Sequence, residues 1–176
     1  MYKSLTLIFA TVVVASAEPT TATSDTPTDP QIAMIAVVAD NADIEAGKLA
    51  VEKAEDKKVK EFAELMVRDH TAVNEKATAL VKKLGVVPEN SATSTTLKTD
   101  SDKTLTKLQS LSGAAFDKAY VDNEVSYHEA VLGVVDKTLI PNTKNDELKS
   151  LLQNARPIFA SHLEHARKLQ SSLQKE

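Results

Sequence analysis

The stretch "KKVKEFAELMVRDHTAVNEKATALVKKLG", residues 57–85, decides the fold. Val59, Phe62, Met66, His70, Val73, Ala77, Leu80 and Leu84 recur at spacings of three and four, with charged residues between them. That period places them on one stripe of a helix packed along one side. Gly85 and, shortly beyond it, Pro88 supply the usual stop chemistry. One member of the stripe is out of character: His70 stands where a bundle helix would normally carry leucine.

Outside this helix the composition points the same way. A chain of 176 residues that is 42% hydrophobic supports one packed core and is short for two. Only 4 Gly and 6 Pro occur, and Ala, Lys, Glu and Leu are plentiful, residue types that lose little freedom in a helix. The expectation is an all-α protein. The formal charge is −4 with both signs interleaved, which gives no phosphate-binding surface and excludes a nucleic-acid partner. With no Cys, disulfides and thiol chemistry are excluded as well.

The N-terminus, "MYKSLTLIFATVVVASA" (1–17), has one basic residue, an apolar run from Leu5 to Val14 and the small-residue pattern Ala15-Ser16-Ala17. This reads as a secretory signal peptide cut after Ala17. The apolar run falls short of the roughly 20 residues of a spanning helix, so a soluble exported protein without a transmembrane anchor is expected, in a periplasm or the medium. Residues 18–29, rich in Thr and Pro, read as a disordered tether. Asp29 with Pro30 makes a helix start, and the bundle domain is expected over 30–176.

Four long helices follow from the pattern: about Pro30–Ala54, the helix ending at Gly85, about Ser112–Leu139, stopping before "IPNT", and about Asn145–Gln174, with a kink expected at Pro157. The 27 residues 85–111 are far too many for a tight helical turn, and a short helix is expected within them near Ser101–Leu111. A connection of that length can return along the whole bundle, which would make the second and third long helices parallel. Two helical hairpins joined by a long crossover define a ferritin-like four-helix bundle.

In that arrangement the polar residues of the apolar stripes share a level. His70, Glu124 with His128, His162, and Glu45 on the stripe of Ile35, Ala42 and Leu49 all fall near mid-bundle. Unpaired buried polar groups cost about 1–3 kcal/mol each, so this layer must be mutually bonded or hold a ligand. Imidazoles with carboxylates suit Zn, Cu, Ni or Fe. The same residues can equally form a hydrogen-bonded network that only sets helix register. Asp69 points about 100° away from His70 and reads as a surface charge with a supporting role open to it. His165 falls at the edge of its stripe and reads as interfacial or exposed.

The segments "ADIEAGKLAVEKAEDKKVKEFAELMVRDH" (42–70), "AAFDKAYVDNEVSYHEAVL" (114–132) and "ARPIFASHLEHARKL" (155–169) together resemble an exported bacterial ferritin-like family, the domain of unknown function 4142 family. Its members are usually labelled outer-membrane proteins. The resemblance covers about residues 30–174 and rests on Glu45, Asp69-His70, Phe116-Asp117 with Tyr120, His128 and His162. It implies the bundle fold and export, and no biochemistry. The chain has no alternating barrel strands to match the membrane label. It also lacks the Glu-x-x-His pairs of di-iron bundles, Glu124 and His128 being four apart, so a mononuclear His-rich site is the expected form.

No nucleophile elbow, phosphate loop or zinc-protease motif is present, and the chain is expected not to be an enzyme. Two readings follow. One is an exported bundle that binds a transition metal or small ligand at the His/Glu layer, in envelope stress or metal handling. The other is a structural module of the cell envelope that meets a partner protein or a second copy through "AMIAVVA" (33–39).

Overall fold

The computed structural model describes residues 26–174, so the expected signal peptide and most of the expected tether lie outside the described residues. Helix α1 spans Asp29–Lys53 and α2 spans Lys57–Leu84. Helix α3 spans Ala92–Gln109, α4 spans Gly113–Val134, and α5 spans Asp146–Leu173. The axis of α4 runs on through a π-helical turn, Val135–Leu139, and a last α turn, Ile140–Asn142.

Local chemistry explains the boundaries. Asp56 opens α2 by accepting from the backbone N–H groups of Lys58 and Val59 at 2.7 and 3.1 Å, and Gly85 closes it in the left-handed conformation at φ 62°. Asn145 caps α5 by accepting from Leu148 N–H at 3.0 Å. At the start of α1 the cap is Thr28, not the expected Asp29. The Asp29 carboxylate instead reaches across the molecule to the N–H groups of Lys144 and Asn145, at 2.9 and 2.8 Å.

Two other boundaries differ from expectation. The crossover is helical from Ala92 onward rather than only in its second half, because Ser91 accepts from Ser94 N–H at 3.1 Å and so nucleates a helix in a Thr-rich stretch. Helix α4 passes Leu139, and the π turn absorbs Pro141 by shifting the pairing, so that Ile140 N–H bonds Val135 O. Helix α5 remains α-helical on both sides of Pro157. Across from it, Asp136 of the π turn accepts from both Nε and Nη2 of Arg156 at 2.6 and 2.8 Å.

The topology is two antiparallel hairpins, α1–α2 and α4–α5, joined by α3. Glu89 N–H bonds Pro30 O at 3.1 Å and Lys53 Nζ bonds Gln109 O at 2.6 Å, so α3 starts beside the beginning of α1 and ends beside its end. At about 1.5 Å per residue its 18 residues cover most of that distance. Helices α2 and α4 therefore start at the same end and run parallel, which is the ferritin-like connectivity. At the join, Asp117 of α4 accepts from the N–H groups of Glu55 and Asp56 in the α1–α2 turn, at 3.2 and 2.8 Å.

Helix α1 lies close against α2 at Gly47, where a Cβ would meet Val67 Cγ2 at 2.9 Å. The core has two unequal parts. Near the α1–α2 turn, Phe62, Met66, Phe116, Tyr120, Val121 and Ala166 are fully buried. Near the α4–α5 turn, Ile32, Ile35, Val135, Leu139, Leu148 and Leu152 close the other end. Between them lies a layer of buried polar groups.

Candidate metal centre

Three of the four long helices supply that layer's imidazoles or acids from the stripe that also supplies their apolar packing, and α1 supplies acids from a stripe of its own. His70 of α2, His128 of α4 and His162 of α5 are 2%, 0% and 3% exposed. Their ring centroids form a near-equilateral triangle: 5.5 Å from His70 to His128, 5.2 Å from His70 to His162, and 5.4 Å from His128 to His162. One nitrogen of each lies within 4.8 Å of one nitrogen of both others. A second trio, Asp43, Glu124 and His128, meets the same criterion and shares His128.

Each imidazole is held by its outward nitrogen. His128 Nδ1 donates to the carbonyl oxygen of Glu124 at 3.0 Å. His162 Nε2 donates to Asp69 Oδ2 at 3.0 Å, and His70 Nδ1 to Asp40 Oδ1 at 2.8 Å. Phe159 stacks on the His70 ring, with centroids 5.0 Å apart and planes 2° from parallel. A carbonyl only accepts, so His128 carries its proton on Nδ1 and presents a bare Nε2 inward. Fixing one nitrogen against an oxygen so that the other faces a metal is how protein metal centres orient histidine ligands.

The inward atoms have no partners. His70 Nε2, His128 Nε2, His162 Nδ1, both Asp43 carboxylate oxygens and Glu124 Oε2 are buried without a hydrogen bond. Asp43 Oδ2 sits 3.2 Å from His70 Nε2 and 3.5 Å from His128 Nε2, near enough for charge attraction but without the alignment of a hydrogen bond. In their unprotonated forms these atoms are acceptors facing acceptors, a set that either a cation or shared protons can complete.

The electrostatics agree. Burial pushes His128 down to about 3, aided by the charge of His70, and so keeps it neutral. Burial also lowers His162, against the pull of Asp69. Burial would lower His70 too, but the Asp43 and Asp40 carboxylates outweigh it and hold it above the usual imidazole range. Burial raises Asp43 to about 6 despite the attraction of His70, and raises Glu124 well above the ordinary range, with the Asp43 charge adding to it. The shifts thus favour the proton-bearing forms of His70 and Glu124.

Of the residues singled out in the sequence, His70, Glu124, His128 and His162 come together, and Glu45 does not. Glu45 is exposed and lines a shallow groove beside Asp100 and Ser101 of α3. Helix α1 is buried on several faces: Ile35 and Ala42 are buried as expected, but Glu45 is not, and the line that meets the imidazole layer is Ile32, Asp40, Asp43, Gly47 and Ala50, with Glu45 about 200° from Asp43. The legible signal for the missed acids is that Asp40 and Asp43 are three apart in phase with that line. Asp69 has the supporting role left open to it, and His165 is exposed, edge-on to Phe62 at 5.0 Å.

Comparisons with known proteins add the fold and the family. The crystal structure described as a secreted DUF305 protein from Streptomyces coelicolor superposes with a TM-score of 0.70 at 13% identity, covering 82% of this chain and 92% of that one. At that identity the likeness shows the bundle alone. No match is found among curated proteins. No helix among the described residues is long and apolar enough to cross a membrane. The family model "Domain of unknown function (DUF4142)" matches residues 14–169, which include all the helices but the last turn of α5, and the chain belongs to the DUF4142 family.

Proposed function

We propose that this protein is an exported, non-enzymatic helical bundle that binds a transition metal ion through His70, His128 and His162, with Asp43 and Glu124 as the adjoining carboxylates, in metal handling at the cell envelope. One observation carries the reading: two buried trios, His70, His128 and His162, and Asp43, Glu124 and His128, share His128, each with its ligand atoms within 4.8 Å of one another, and all five residues have buried polar atoms without a hydrogen bond, while one nitrogen of each imidazole is bonded. Nitrogen and oxygen ligands without thiolate favour Zn, Cu, Ni or Fe. The leader-like N-terminus and the secreted description of the structural neighbour support export.

The test is elemental analysis by mass spectrometry of protein purified untagged and without chelator, beside the His128→Ala and His162→Ala variants. Near-stoichiometric metal that both variants lose is the expected result. Protein that is metal-free as purified and also ignores added Zn, Cu, Ni and Fe sinks the proposal. The second reading, a structural module whose layer sets helix register, draws on the His70 pair with Asp40 and Asp43, which is a complete ion pair without metal. It predicts a partner complex recoverable from envelope extracts in the presence of chelator.

A further inference from the structure

Directly beyond the Asp40–His70 pair, toward the α4–α5 turn, the bundle contains a chamber of about 120 Å³. Its walls come from α1, α2, α4 and α5, and Thr93 and Leu97 of α3 stand at its mouth. Small side chains make the space: Ala36, Ala39, Ala77, Ala130 and Ala155 line it where leucines would fill it. The π turn forms part of its wall through Val135 and Leu139. Single π turns inside α-helices occur frequently at functional sites.

From these features we infer a second ligand site, which shares the wall residue His70 with the metal centre and takes a compact, neutral, apolar molecule of about the size of benzene. Water is a poor occupant. A buried water needs two to four polar partners. Tyr127 Oη, at the wall, already donates to Ala39 O at 2.7 Å, and Asp40 Oδ1 already accepts from His70. Thr93 is exposed at the mouth, so the polar groups left to the interior are few: the remaining acceptor capacity of Tyr127 Oη and of Asp40. An apolar cavity of about 150 Å³ lined by Leu, Ile and Phe stays dry and takes benzene or xenon. This chamber is of the same order, and the face of Phe159 and the methyls of Val73, Val131 and Leu152 give an apolar guest its contacts.

The inference does not rest on metal binding, and its experiment keeps the two apart. Methyl-resolved NMR of the purified metal-free protein is titrated with benzene, and the same sample is studied under xenon pressure. Saturable shifts confined to the methyls of Ala39, Val73, Val131, Leu152 and Ala155 are expected. Ala39→Leu and Ala155→Leu, made singly and checked for helicity, should each weaken benzene by about tenfold or more, since each adds three carbons to the space and even one extra methylene in such a pocket can have that effect. His162→Gln, outside the chamber, should abolish metal uptake and leave benzene binding unchanged. Absence of saturable shifts with either probe, or benzene binding indifferent to both filling variants, overturns the inference. So does a crystal structure with ordered water filling the chamber.

Discussion

Toward the α1–α2 turn the interior is filled by Phe62, Met66, Phe116, Tyr120 and Val121, whereas toward the α4–α5 turn the same cross-section is lined by alanines and valines around an open chamber. The imidazole layer sits at the boundary. Its groups thus have a close-packed, fully buried floor on one side, where burial lowers His128 and raises Glu124, and an apolar chamber on the other. A centre buried in two sealed halves would have no entrance. One between two hollow halves would lose the fixed orientation that the outward hydrogen bonds give each ring.

That contrast can be broken by mutation. The largest effect is expected from Phe62→Ala in the sealed half, which should cost about 3–5 kcal/mol in urea unfolding, because its close-packed neighbours cannot collapse into the void. Leu152→Ala beside the chamber removes a side chain already bordering empty space and should fall toward the lower end of the large-to-small range, about 2 kcal/mol. Equal losses at the two sites would erase the distinction.

Within the layer, Asp69→Asn keeps the size of the group that orients His162 and removes its charge. Metal affinity should fall by about 10 to 100-fold with helicity unchanged, as for other outer partners of ligating histidines. Calorimetry reads the affinity and circular dichroism the helicity, and unchanged affinity would take His162 out of the ligand set.

Proton competition sharpens the comparison further. His70 is held above its ordinary range and Asp43 near 6, so at low pH both carry protons that a metal must displace. Affinity should rise from about pH 5 to about pH 8, across the imidazole range, and protons released per ion should fall over that interval. Titrations in buffers of different ionisation enthalpy measure that number. The smallest effect belongs to Glu45→Ala: the side chain is exposed, so stability should stay within about 0.5 kcal/mol and metal content should not change.

Much of this was legible in the residues. The stripe of α2 gave the helix, the stop at Gly85 and the buried His70, since a single apolar face leaves one way to pack it. The long crossover implied parallel α2 and α4, and that register brought Glu124, His128 and His162 to the level of His70. Helix α1 was misread at Glu45 because a segment apolar all round, "AMIAVVADNADIEAGKLA" (33–50), offers several phases and periodicity alone cannot choose among them. The early start of α3 was hidden by Ser and Thr, whose weak helix preference is overridden by a cap and by packing on α1. The chamber had no sequence signal, for alanine is as good a helix former in a filled core as beside an empty one.

The two aspartates at the hairpin ends have a consequence for how the chain comes together. Asp29, on the first hairpin, completes the turn of the second, and Asp117, on the second, completes the turn of the first. Each turn gains its carboxylate acceptor only when the other hairpin docks, water serving those N–H groups until then, so docking completes both turns at once. Cutting the chain within 85–91 would leave two fragments, each carrying the acceptor that the other lacks, and they should recover full helical signal only when mixed in equal amounts.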